Sequence, residues 1–236
     1  KKFQQSINSA PQKPLKQWPY EKQSSLNETQ CISDYAILSE EQTTALHKLC
    51  LKEKISVNSA LAASLLFSTS GNKTININIS AAVNMRPHIK ANLPKSVFGC
   101  YIGMTNSHIT LNSKSRFWDI AREYQESLSK GLATYNHNPI NASLTEIASC
   151  LPSNEQLTES RSFRTICLAN IGKTPLKQTY DGIRLQACYF ATNQRTAGAL
   201  VWLNATAIEN VLCLNLNSSS PQISIKHFQL LWHLTK

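Results

Sequence analysis

The six histidines (His47, His88, His108, His137, His227 and His233) are the first places to look for proton transfer, because imidazole titrates nearest neutral pH. They are isolated. None is followed four residues later by Asp or Glu, so each reads as a surface or packing residue, and His88 and His137, beside loops, are the least implausible bases. The seven cysteines (Cys31, Cys50, Cys100, Cys150, Cys167, Cys188, Cys213) are odd in number and never closer than Cys150 to Cys167, which leaves no paired-thiolate spacing for zinc or redox work. They read as core thiols of a protein kept in a reducing cytoplasm. No phosphate-binding loop of the GxxxxGK type, GxGxxG turn, HExxH helix or GxSxG elbow is present. These patterns therefore point to no particular catalytic group, metal site or permanently bound cofactor.

Charge is the stronger signal. The chain carries a net charge of +10, and from Lys54 to Arg116 it holds Lys54, Lys73, Arg86, Lys90, Lys95, Lys114 and Arg116 without one Asp or Glu. A segment with no internal counter-charge faces water, a polyanionic ligand such as a phosphorylated cofactor, or an acidic protein surface. Nucleic acid is the weakest partner, since no basic helix and no aromatic platform interleaved with basic residues occurs.

The elements that position these residues follow from periodicity. With 236 residues, 42% hydrophobic and 16% charged, the chain is globular and buries a core without metal or disulfide staples. No apolar run reaches the ~20 residues of a bilayer span, and KKFQQSINSAPQKP has no apolar signal-peptide core. Residues 1–30 hold Pro11, Pro14 and Pro19 and read as a linker; residues 31–236 read as one subdomain.

Ser39 and Gln42 have capping-box spacing and open a helix ending near Lys54. Ser56 starts a second, apolar on most of its surface, and Gly71 stops it. Ile75, Ile77 and Ile79 alternate with Asn76, Asn78 and Ser80 in a half-buried strand that runs to Pro87. A second strand is expected over Val97–Leu111, then a helix capped by Ser115 with Phe117, Ile120, Ala121, Tyr124 and Leu128 on one face. A shorter helix is expected after Pro139, and Pro152–Arg161 reads as polar loop. The last third predicts an antiparallel meander of four strands at 163–172, 182–191, 197–205 and 210–217, and a final helix from Ser220 and Pro221 through Trp232. The class is α/β (α+β layered): a mixed, largely antiparallel sheet with helices mainly on one face. Tyr101 and Trp202 read as core.

In this order and spacing, four segments carry a family resemblance. They are LSEEQTTALHKLCLKEKISVNSALAASLLF, ISAAVNMRPHI, FGCYIGM followed by RFWDIAREYQESL, and LANIGKTP at 168–175. Together they resemble the C-terminal half of the chloramphenicol acetyltransferase-like superfamily. The alcohol acetyltransferase and mycobacterial polyketide-associated acyltransferase branches are nearest, with peptide-synthetase condensation domains further off.

The resemblance implies transfer of an acyl group from a coenzyme A or phosphopantetheine carrier thioester to a small-molecule alcohol or amine. The superfamily's general base lies in an HHxxxDG motif of the N-terminal half, and this chain has no such motif. No catalytic residue is thus expected here, the N-terminal half, fused or separate, is an expected partner, and an acyl carrier protein is another. By position in VNMR, Arg86 is the residue that would pair across the halves with the motif's Asp; the local alternative is that Arg86 serves the strand end alone. Lacking its carboxylate, Arg86 is expected to be exposed or disordered. Asn84 is expected to bond across strands, Gly99 to admit the thioester arm, and Asn170 and Gly172 to line the substrate channel. The rival reading is a non-catalytic condensation-like module that docks an acidic carrier protein or a partner subunit.

Overall fold

A computed structural model describes residues 28–70, 74–88, 94, 97–99, 101–134, 165–192, 199–220 and 223–235. Its strands are β1 (Gln30–Leu38), β2 (Ile75–Asn84), β3 (Ile102–Leu111), β4 (Thr165–Lys173), β5 (Thr179–Tyr180), β6 (Ile183–Arg184), β7 (Ala199–Ile208) and β8 (Val211–Ser220). Its helices are α1 (Glu40–Lys52), α2 (Val57–Ser70), α3 (Phe117–Ala133) and α4 (Ile225–Thr235). Six strands form one sheet in the order β1-β8-β7-β4-β2-β3, and β5 and β6 form a separate ribbon. The pairs β2–β4 and β4–β7 are parallel; β1–β8, β7–β8 and β2–β3 are antiparallel.

Period-two patterning divides the sheet into two faces. Ile75, Ile77 and Ile79 of β2, Ile109 and Leu111 of β3, Ile166 and Leu168 of β4, Val201 and Leu203 of β7 and Leu212 and Leu214 of β8 share one core. Leu61, Leu65 and Leu66 of α2, Ile120 and Tyr124 of α3 and Phe228 and Trp232 of α4 close it from that side. The wide apolar girdle of α2 is explained by its place between the sheet and its neighbours: ten of its fourteen residues are buried. Helix α1 starts as its sequence predicts, with the Ser39 hydroxyl accepting from Gln42 N–H while the Gln42 side chain accepts from Ser39 N–H.

Several expectations are corrected. Residues 30–38, assigned to no element from sequence, form β1, whose Ile32, Ala36 and Leu38 pack on the core. The strand expected from Val97 begins at Ile102, because the backbone of 97–99 leaves the ladder and Phe98 is wholly exposed. Helix α3 is preceded by Arg116 with no side-chain cap; the Ser115 hydroxyl instead accepts from Asn112 N–H at 3.0 Å. The last helix begins at Ile225, later than Ser220.

The meander is the largest correction. Strand β4 runs parallel to β7, so a crossover must join them, and residues 174–198 supply it. Within that crossover Asp181 and Gly182, both at positive φ, turn β5 into β6, and 185–192 form no strand. Phe190 from this stretch packs against Cys167, Ala169, Ala199 and Trp202 on the sheet face away from the helices. The helix expected after Pro139, the loop 152–161, residues 1–27 of the expected linker 1–30 and the Gly71 stop lie outside the described residues.

Candidate functional site

On that second face, at the carboxyl ends of the parallel strands β2 and β4, lies a cavity of about 460 Å³. Strand alternation aims Ala82 and Asn84 of β2, Ile102 and Met104 of β3, Ala169 of β4 and Trp202 of β7 to the side opposite the core, and all six line the cavity. Phe190 and Thr192 of the crossover add a further wall. Arg86, Gly99 and Tyr101, from the connection between β2 and β3, form its polar corner.

Four of the five residues singled out from sequence, Asn84, Arg86, Gly99 and Asn170, meet at this one cavity. Gly172 does not. It stands where β4 shifts register against β7, with φ +71, and its N–H donates to Asn170 Oδ1 at 2.9 Å. A left-handed backbone at a bulge favours glycine for conformational reasons, so Gly172 shapes the strand end and does not line the wall. Asn170 keeps its side-chain N–H groups without a partner among the described residues.

Asn84 does not bond across the strands. Its Oδ1 accepts from Arg86 N–H at 3.0 Å, a side-chain-to-backbone turn that lifts the chain off β2 into the short 3₁₀ turn Arg86–His88. Arg86 is half-buried and held, contrary to the exposed or disordered state expected. Its Nη2 donates to Val97 O at 2.6 Å and its Nη1 to Pro94 O at 3.4 Å, and its Cζ lies 4.0 Å from the centre of the Tyr101 ring. No carboxylate pairs with it among the described residues. Lys54, Lys114 and Arg116, the other described cations of the acid-free segment, are exposed.

Tyr101 and Trp202, read as core, line the cavity. Trp202 is 4% exposed with no partner for its indole N–H among the described residues, and Tyr101 packs under Arg86. Alternation along LVWLNA assigns Trp202 to the face opposite Val201 and Leu203, but only the topology makes that face a cavity wall. Gly99 admits the Tyr101 ring: a Cβ there would stand 2.9 Å from one ring carbon of Tyr101. The close approach expected at Gly99 is therefore to a neighbouring side chain.

Among the described residues, the walls contain amide, guanidinium, phenol, hydroxyl and apolar groups but no His, Asp, Glu or Cys. Cys167 packs in the cluster beneath with Ala169 and Trp202; burial pushes its thiol up to about 12, so it stays protonated and is no nucleophile. His88 and His108 are exposed, and neither lines the cavity. No three His, Cys, Asp or Glu side chains gather in a metal-holding group among the described residues. Such a cavity can bind and orient an apolar chain with oxygen functions.

Comparison with known proteins agrees with this architecture. The family described as phthiocerol/phthiodiolone dimycocerosyl transferase C-terminus matches residues 28–213. The chain belongs to that family, and with it to proteins carrying an acyltransferase-like domain. Polyketide synthase associated protein 5 from Mycobacterium tuberculosis is similar at TM-score 0.62 and 14% identity, over 91% of this chain and 54% of that one. Trichothecene 15-O-acetyltransferase from Fusarium sporotrichioides is similar at TM-score 0.59 and 14% identity, over 88% and 46%. The condensation domain of the Monacolin K polyketide synthase MokA is similar at TM-score 0.59 and 10% identity, over 99% and 54%. The chain thus spans about half the length of these solved structures, and at these identities they define its fold alone. No curated protein sequence matches it. Among the described residues no helix is long and apolar enough to cross a membrane.

Proposed function

We propose that this chain is the C-terminal half of an acyltransferase that moves an acyl group from a coenzyme A or carrier-protein thioester to an alcohol or amine. The observation that carries the reading is the composition of one cavity: Asn84, Arg86, Gly99 and Asn170 meet in walls that, among the described residues, hold no imidazole or carboxylate. In this reading the base, in an HHxxxDG motif, belongs to the N-terminal half, and this chain contributes one channel wall and a fixed guanidinium. Arg86 suits that role physically. A guanidinium stays charged when buried and pairs bidentately with a carboxylate, so it would hold the turn that carries the base. The apolar walls from Ala82, Ile102, Met104 and Phe190 would take the acyl chain or the acceptor's body, and the Asn170 amide would donate to a substrate oxygen. The donor enters as a substrate, not as a resident cofactor.

The test is the intact mass and N-terminal sequence of the native gene product, followed by thiol release from acetyl-coenzyme A and a small alcohol. A product about twice this size with HHxxxDG in the added part, active where the 236-residue chain is inactive, is expected. Turnover by the 236-residue chain alone would refute the assignment of roles.

The exposed apolar rim favours a second reading. Phe98, Ile102 and Met104 are exposed beside the cavity, in a segment without acidic residues. A non-catalytic module docking an acidic carrier protein would use such a surface. A native product without HHxxxDG, which binds carrier protein in a salt-dependent way, would favour it.

A further inference from the structure

We propose that Tyr101 is the positioning residue that aims Arg86, and that Gly99 is the space that lets it do so. The inference rests on the reading above, in which Arg86 receives a carboxylate, and it assigns a role to two further residues of that corner. Arginine has a long side chain with many rotamers, so a guanidinium awaiting a partner must be fixed by something else.

Three contacts fix Arg86. Val97 O and Pro94 O accept from its Nη2 and Nη1, and the Tyr101 ring lies 4.0 Å from its Cζ. The carbonyls are neutral, so they orient the group without cancelling its charge. The ring covers one face of the guanidinium by cation–π contact and leaves its N–H edges free to bond. Among the described residues only those two carbonyls accept from the side chain, so further N–H groups remain for an arriving carboxylate.

The ring is itself held from both sides. Met85 N–H donates to Tyr101 O at 2.7 Å, which ties the backbone of Tyr101 to the residue preceding Arg86. On the other side the ring occupies the place of a side chain at position 99. A Cβ there would lie 2.9 Å from Cε2 and 3.0 Å from Cζ and Oη of Tyr101. Gly99 has no backbone need to be glycine, since its φ lies outside the left-handed range. What a methyl group at 99 would change is the position of the ring, and with it that of the guanidinium.

The experiment uses the native full-length product with two readouts. The first is the side-chain Nε–H proton resonance of Arg86, identified by its loss in Arg86→Ala. Ring current from Tyr101 is expected to shift it upfield of the other arginines. Tyr101→Phe retains the shift, whereas Tyr101→Leu and Gly99→Ala abolish it. The second is kcat for thiol release from acetyl- and palmitoyl-coenzyme A with 1-octanol as acceptor. Arg86→Ala is expected to lower kcat about 100-fold, the scale of a lost charge-assisted hydrogen-bonded pair. Tyr101→Leu and Gly99→Ala are expected to lower it about tenfold with little change in KM, and Tyr101→Phe to restore most of the rate. The decisive case is the double variant Arg86→Ala/Tyr101→Leu, expected to equal Arg86→Ala alone, because Tyr101 acts only through Arg86.

Losses that multiply in the double variant, or a Tyr101→Leu enzyme with wild-type kcat, overturn the positioning role while leaving the acyltransferase reading intact. An Arg86→Ala enzyme with full activity overturns the role assigned to Arg86 and with it the positioning role, since nothing is left to aim, but leaves the acyltransferase reading standing. A wild-type product that releases no thiol from either donor overturns the acyltransferase reading, and the resonance then decides the positioning role. If Gly99→Ala unfolds, Tyr101→Leu and the resonance decide the matter alone.

Discussion

Raising the pH tests whether the core is closed in the way the fold requires. Tyr124 of α3 is fully buried and Cys167 of β4 nearly so, and burial pushes each acid up to about 12, from ordinary values of 10.0 and 9.0. Asn58 Nδ2 donating to the Tyr124 oxygen at 3.4 Å offsets only part of that rise. Both native values are raised, so the unfolded chain loses these protons first. The stabilisation is complete below pH 9 for Cys167 and below pH 10 for Tyr124, and it drains away as the pH climbs toward 12. At about 1.4 kcal/mol per pH unit, the rise from 9.0 to about 12 corresponds to roughly 4 kcal/mol for Cys167. The rise from 10.0 to about 12 corresponds to roughly 3 kcal/mol for Tyr124. Against a total stability of ~5–15 kcal/mol these are large fractions. Urea unfolding of the wild type and of Tyr124→Phe from pH 7 to 11 isolates one group, because all other titrations cancel in the difference. The wild type's stability relative to the variant is expected to be constant to about pH 9.5 and then to fall by ~1.4 kcal/mol per pH unit above pH 10. Parallel curves to pH 11 would refute the burial argument, and with it the packing of α3 on α2 and the sheet.

Two other predictions follow from local chemistry. Ser39→Ala removes the hydroxyl half of the capping box of α1, leaving the backbone N–H that donates to Gln42, and is expected to lower stability by about 1 kcal/mol, read as a shift in urea midpoint at constant slope; an unchanged midpoint would show the hydroxyl cap to be idle. Iodoacetamide at pH 8 is expected to label the exposed Cys31 long before the buried Cys167, a difference that peptide mass mapping records. Equal labelling of the two would mean that β4 is not closed on its second face.

How far the sequence reached differs between the site and the fold. Arg86, Asn84, Gly99 and Asn170 were legible as a group only through the order of VNMR, FGCY and LANIG along the chain, a pattern that carries no distances. The roles expected of three residues were then changed by local geometry. Asn84 is taken by Arg86 N–H, Gly99 makes room for Tyr101, and Gly172 answers to a bulge. Tyr101 and Trp202 could not be told from core residues, because an aromatic side chain on an alternating strand looks the same whether its face meets helices or a cavity.

The sequence by itself determined what is decided within a few residues: the capping box at Ser39, the apolar surface of α2, the alternation of Ile75, Ile77 and Ile79, and the lack of any internal proton-transfer motif. Those features depend on short-range hydrogen bonds and on periodicity, both of which are written along the chain. The parallel pairing of β4 with β7 and β2 was not written there. TICLANIG reads alike in a meander and in a strand buried on both faces, and pairing is chosen by contacts between residues far apart in sequence. That choice sends 185–192 across the second face as cover and brings the ends of β2 and β4 side by side. The cavity exists because of it, and so does the meeting of residues from positions 82 to 202 on its walls.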